Sequence, residues 1–195
     1  MSTKSILVIN GHPNPDSLNY AMANAYASEA KQTGARVELL HLHQLQFNMN
    51  LGGGYKQRTE WEPDLEIAWQ KIKEADHLVW IHPVWWGGLP ALMKGFIDRL
   101  FLPGFAFKYR ENSVWWDKLL SGKTARIICT LDQPYWYYRW INGAPGIYQL
   151  KKMTLEFCGI KPVSVTAFGP VRNAPDKKIN SMIEQTKRLA LKDIR

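Results

Sequence analysis

The chain has 195 residues, 46% of them hydrophobic, and no proline- or serine-rich linker, so 1–195 reads as a single domain with one well-buried core. No apolar run approaches the roughly 20 residues that cross a bilayer, and Met1-Ser2-Thr3-Lys4 leads into a strand-like run rather than a leader; a soluble, cytoplasmic protein without membrane insertion is expected. The net charge of +8 comes from Lys and Arg spread from Lys4 to Arg195, with no nucleic-acid motif beside them, which argues against nucleic-acid binding while leaving a field that attracts small anions such as nucleotides or a negatively charged membrane partner.

Ser5 to Asn10 is a continuous apolar run, the pattern of a strand buried on both faces. The polar turn Gly11-His12-Pro13-Asn14-Pro15-Asp16-Ser17 follows, then a helix from about Leu18 to Lys31 with Ser17 as its cap and Gly34 beyond its end. Ala35 to Leu42 alternates like a second strand, Pro63 to Glu74 is a short helix, and Asp76 to His82 is a third strand. Pro83 stops that strand, and after Pro90 the residues Leu89, Leu92, Met93, Phe96, Ile97, Leu100 and Phe101 recur at helical spacing. A strand at Lys123 to Leu131, a helix ending near Cys158, a strand at Pro162 to Phe168 and a last helix from Asp176 complete the series. Five strands alternating with helices predict an α/β fold: a flavodoxin-like, doubly wound five-stranded parallel sheet with helices on both faces. Cys129 and Cys158 are far apart and form no Cys-x-x-Cys pair, so buried reduced thiols are expected and neither a disulfide nor a metal site is.

Three connections exceed ordinary joints: His43 to Glu62, Leu102 to Gly122, and Asp132 to Pro145. They carry Trp61, Phe105, Phe107, Tyr109, Trp115, Trp116, Tyr135, Trp136, Tyr137, Tyr138 and Trp140, which must be covered by a ligand, by one another or by a second subunit.

Two segments carry chemistry. The turn after the first strand opens a helix, whose outward amides and dipole favour an anion; Gly11 gives backbone access, and His12, Ser17 and Asn19 offer donors. It is neither a Gly-x-Gly-x-x-Gly fingerprint nor a Walker loop, and the plain alternative is that Ser17 caps the helix while His12 is a surface turn residue. The second segment, Pro83-Val84-Trp85-Trp86-Gly87-Gly88, places two tryptophans and two glycines at the carboxyl end of a central strand, where open parallel sheets bind ligands. Packing beneath the following helix is the alternative for an isolated Trp pair. Together the two segments offer donors for phosphates and an apolar wall for a flat ring, the requirements of a flavin.

Gly11-His12 with Ser17-Leu18-Asn19-Tyr20-Ala21, then Pro83 through Gly95, then Gly104-Phe105-Ala106-Phe107, resemble the motifs of the NAD(P)H:quinone oxidoreductase family (DT-diaphorase, modulator of drug activity B), and the likeness extends to Phe157-Cys158-Gly159. The resemblance implies a homodimer with sites between subunits, a bound FAD with FMN as the alternative, and ping-pong, two-electron reduction of a quinone-like substrate by NAD(P)H. By position, His12, Ser17, Leu18 and Asn19 resemble the family's phosphate and ribityl contacts, and Pro83, Val84, Trp85, Trp86 and Gly87 its isoalloxazine loop. Where many members carry Thr-Thr-Gly-Gly, this chain has Thr130-Leu131-Asp132-Gln133, with Asp132 or Gln133 in reach of the ring imide. Tyr138 falls near the tyrosine that members use, with a histidine, to accommodate charge on the reduced flavin; no histidine follows His82 in this chain. The rival readings are a flavodoxin-type electron carrier, which a basic chain with long aromatic loops fits poorly, and a regulatory flavoprotein subunit of a membrane transporter.

Overall fold

The computed structural model describes residues 3–54, 56–57 and 59–194. Its main sheet has five parallel strands in the order β2-β1-β3-β6-β7, formed by β1 (Ser5–Asn10), β2 (Arg36–His41), β3 (His77–Pro83), β6 (Thr124–Thr130) and β7 (Val163–Phe168). Between β3 and β6 lies an antiparallel ribbon of β4 (Phe107–Tyr109) and β5 (Trp116–Lys118). The helices are α1 (Leu18–Gln32), α2 (Pro63–Glu74), α3 (Ala91–Leu100), α4 (Tyr135–Trp140), α5 (Pro145–Tyr148) and α6 (Asp176–Ile194). The expected five-stranded doubly wound sheet is present, with boundaries within a residue or two of the sequence reading.

Strand β3 is buried throughout, as an apolar strand between two helical layers must be. Leu78 and Trp80 face a core shared with α2 and α3, while Val79 and Ile81 face the core beneath α1 and α6. Pro83 does not stop the ladder: it pairs with Thr130, and the next amide, that of Val84, donates to the Thr130 carbonyl at 2.9 Å. The strand outlives its proline because only the missing N–H is lost. Pro90 caps α3 and the helix begins at Ala91.

Two of the long connections are pinned to the core. The Arg99 guanidinium is buried, bonds the Asn48 and Glu60 carbonyls and forms an ion pair with Glu62 at 2.7 Å, while the Trp61 indole donates to the Arg99 carbonyl. Trp61 packs 4.4 Å from Phe105, and Trp116 stacks 4.3 Å from Phe157. These aromatics are covered by one another. Trp86, Trp115, Trp136 and Trp140 remain exposed. The third connection contains α4 and ends at the start of α5, which runs on without a break into π-helical turns at Gln149–Glu156.

At the amino ends of the strands, Asp193 of α6 accepts two bonds from Arg126 at 2.5 and 2.6 Å and one from the Tyr26 hydroxyl at 2.8 Å. His77 lies 3.5 Å away, and Lys4 reaches the Asp193 carbonyl. Cys129 and Cys158 are free and buried. Among the described residues no helix is long and apolar enough to cross a membrane, and no His, Cys, Asp or Glu group has metal-ligand geometry.

Candidate functional site

The chain winds from β1 to β2 on one side of the sheet and then to β3 on the other, so the carboxyl ends of β1 and β3 flank the switch point where such sheets open a crevice. Three segments converge there: the turn after β1, the turn after β3 and the residues after β6.

The first turn is bonded to itself. The His12 amide donates to the Asn10 side chain at 3.2 Å, the Asn14 amide to His12 Nδ1 at 3.0 Å, and the Asp16 amide to the Asn14 side chain at 2.9 Å. Ser17 caps α1 by accepting from the Tyr20 amide at 3.2 Å. An acceptor role for Nδ1 leaves the proton of His12 on Nε2, and burial, with the nearby His43, holds its pKa below the ordinary histidine value. Asn19 is buried, and its Oδ1 accepts from the Thr130 hydroxyl at 3.0 Å. Its Nδ2 has no partner among the described residues. An orphaned buried donor beside the amino end of a 15-residue helix fits an anionic or polyhydroxyl ligand, which would supply the missing acceptor.

The second turn is a two-residue reversal. Trp85 and Gly88 exchange backbone hydrogen bonds at 3.1 and 2.9 Å, while Trp86 and Gly87 between them have φ of 50° and 76°. Left-handed backbone at both central positions is a type I′ turn, which suits Gly87 and strains Trp86. The Trp86 indole is fully exposed at the rim. Trp85 meets the edge of His12 at 5.4 Å, joining the two turns.

Two adjoining cavities result. One of about 260 Å³ is lined by His12, Ser17, Leu18, Asn19, Pro83 and Thr130 among others; the other, of about 600 Å³, is lined by Trp86, Gly87, Gln133, Asn142 and Pro145. Val84, Trp85, Leu131 and Asp132 belong to both. All thirteen residues read from the sequence as ligand contacts therefore line one or both of these two cavities. Sequence reasoning missed Val171, Ile179, Asn142 and Pro145. Val171 follows β7, and the strand-end rule that selected the β3 and β6 turns points equally to it.

Tyr138 is brought close but turned inward. Expected to face a reduced ring, it is instead buried; its hydroxyl donates to the Gly87 carbonyl at 2.8 Å and accepts from the Gly146 amide at 3.0 Å. A phenol with both capacities filled by backbone can hold the turn, whereas a direct contact to a ligand needs those bonds to open. A separate apolar cavity of about 370 Å³, between α3 and the π-helical turns, is lined by Ile97, Phe101, Phe107 and Phe157 and by none of the expected site residues.

Comparison with known proteins agrees with this architecture. The family described as flavodoxin-like fold matches residues 4–190. An uncharacterized NAD(P)H oxidoreductase of Haemophilus influenzae is 29% identical over 184 residues, covering 91% of this chain and 90% of that protein. Human ribosyldihydronicotinamide dehydrogenase [quinone] is 27% identical over 187 residues, covering 83% and 79% respectively. Among solved structures, an FMN-dependent NADH-azoreductase of Bacillus anthracis in complex with FMN superposes with a TM-score of 0.79 at 18% identity, over 99% of this chain and all of that one, a likeness of fold.

Proposed function

Because the chain belongs to the flavodoxin-like fold family, we propose that it is a flavin-dependent NAD(P)H oxidoreductase that reduces quinones or similar flat electrophiles by two electrons in ping-pong order. The observation that carries the reading is the pair of cavities that share Val84, Trp85, Leu131 and Asp132, one with an orphaned donor beside the amino end of α1 and the other walled by Trp85 and Trp86. The names of the Haemophilus and human relatives support the reaction class, and the FMN bound by the Bacillus azoreductase supports a flavin.

A bound flavin supplies the two-electron exchange between nicotinamide and acceptor. The chain does the holding. Outward amides of α1, the Ser17 hydroxyl, His12 Nε2 and Asn19 Nδ2 would take the phosphate and ribityl groups. The walls of Pro83, Val84, Trp85 and Trp86 would bear the ring, with Gly87 leaving the larger cavity open beside it. Asp132 or Gln133 would meet the imide edge, from the segment Thr130–Gln133 that ends β6. Stacking nicotinamide and acceptor in turn in that cavity supplies proximity, and the apolar wall excludes water from the exchange. FAD is the proposed form, with FMN as the alternative. Exposed Trp86 at the rim, with exposed Trp136 and Trp140 on α4, supports a homodimer in which a second copy covers them.

Purified protein should show oxidised-flavin absorption that bleaches anaerobically with NADPH, and turn over NADPH with menadione. Extraction and chromatography distinguish FAD from FMN. Bound flavin with negligible turnover would favour the electron carrier, and colourless protein that takes up neither form would remove the reading altogether.

A further inference from the structure

The charges around the crevice run opposite to those of the chain as a whole. The protein carries +8, yet among the described residues no Lys or Arg lines either cavity. The lining residues with ionisable side chains are His12 and Asp132, and His12 is held toward its neutral form by burial. Asp132 is exposed, lines both cavities, and its carboxylate has no hydrogen-bond or ion-pair partner among the described residues. The positive counterpart in the crevice is the amino end of α1, at the far side of the smaller cavity, beside His12, Ser17 and Asn19. Among the described residues the larger cavity thus has one anionic lining side chain and no cationic one, its other lining being Val84, Trp85, Trp86, Gly87, Leu131, Pro145 and the neutral polar residues Gln133 and Asn142.

We propose that Asp132 sets the charge class of the acceptor: flat electrophiles that are neutral or cationic enter the larger cavity, and those bearing a carboxylate or sulfonate on the stacked ring are held off. This rests on the flavin reading above, because the flavin would form the floor against which the acceptor stacks. The physical basis is Coulombic. A carboxylate beside apolar indole walls repels a second anion several ångströms away more strongly than bulk water allows, and salt weakens the effect because the cavity is open. The chain's long-range positive field brings anions toward the surface, so the discrimination operates at the final approach rather than at encounter.

The test compares flavin-loaded wild type with Asp132→Asn and Asn142→Asp. The first readout is the ratio of kcat/KM for menadione to that for 1,4-naphthoquinone-2-sulfonate. The second, independent of turnover, is the ratio of dissociation constants for 2-methoxynaphthalene and naphthalene-2-sulfonate, followed by perturbation of the flavin spectrum. Asp132→Asn should shrink both preferences for the neutral compound about fivefold, Asn142→Asp should widen them, and raising the salt concentration should narrow the wild-type preference toward that of Asp132→Asn. Protein that retains flavin but shows the same two ratios in wild type and Asp132→Asn overturns the proposal while leaving the flavin reading standing. Protein that takes up no flavin overturns both.

Discussion

The Tyr138 hydroxyl donates to the Gly87 carbonyl over 2.8 Å, so a residue of α4 holds the strained turn that follows β3. The Gly146 amide reaches the same carbonyl at 2.9 Å and the same hydroxyl at 3.0 Å, closing a three-membered latch. Tyr138→Phe leaves Gly146 and Gly87 bonded to each other, so no buried backbone group is orphaned and the fold should survive with a loss of about 1 kcal/mol. Flavin should remain bound while turnover slows several-fold, because the turn carrying Trp86 is less firmly held. Thermal melting with steady-state kinetics checks this; an unchanged rate would remove Tyr138 from the mechanism.

Gly146 is the member of the latch with least room. A methyl group added there would meet the Gly87 carbonyl oxygen at 2.8 Å, Gly88 Cα at 3.0 Å and the Tyr138 hydroxyl at 3.1 Å. The first two contacts are backbone, and the turn must move to admit them. Gly146→Ala should cost about 1–3 kcal/mol and weaken flavin retention more than Tyr138→Phe does. Denaturant midpoints and flavin dissociation constants for the two variants give the comparison.

Trp86 combines left-handed backbone with full exposure, so its side chain contributes nothing to the core. Replacing it by glycine removes a conformational cost of about 1–2 kcal/mol and should raise the melting temperature. The same change removes the indole from the cavity wall and should lower flavin retention or turnover. A variant that gains stability without losing either function would show that the exposed indole is not part of the ligand wall.

Much of this was legible in the sequence, and the reasons differ by element. Strand β1 and helix α2 have the expected bounds because an uninterrupted apolar run and a Pro-led amphipathic stretch are local signals. Ser17, Asn19, Trp85 and Thr130 converge because strand order alone places their segments at one rim. The inward turn of Tyr138 was not legible, since it depends on Ala144 at φ 48° and Gly146 arriving from a later segment. Nor was the role of Arg99, which reads locally as one more basic residue near a helix end and acquires its purpose from carbonyls 51 and 39 residues away. Non-local contacts of that kind leave no periodic trace.

Asp193 should dominate the response of stability to acid. Although burial alone would raise its pKa, the Arg126 hydrogen bonds, with His77 beside them, hold its carboxyl well below the usual range. A folded-state pKa below the unfolded one contributes stability that is present above about pH 4 and is lost as pH falls toward the folded value. His82, which burial holds down to about 4, adds an earlier loss between about pH 6.5 and that value, for the same reason of sign. Asp193→Asn leaves the Arg126 guanidinium buried without its partner and should cost about 3 kcal/mol or more at neutral pH. The gap between wild type and variant should narrow on acidification; denaturation curves at pH 7, 5 and 3 would reveal a constant gap if the pairing is unimportant.

The two thiols are shielded by the fold. Burial pushes both Cys129 and Cys158 up to about 12. Neither should react with a disulfide reagent at pH 8 in the native protein, and both should react after denaturation. Rapid labelling of the native chain would contradict the packing around β6 and the end of the π-helical turns.

The Arg126, Asp193 and His77 cluster sits at the amino ends of the strands, whereas every surface of the crevice comes from their carboxyl ends. The anchor and the workplace are separate territories of one sheet. Libraries that randomise the exposed rim, at positions such as Trp86, Gln133 and Asn142, can therefore search for new selectivity without touching the clasp that fastens the last helix, a division that makes this scaffold well placed for laboratory evolution.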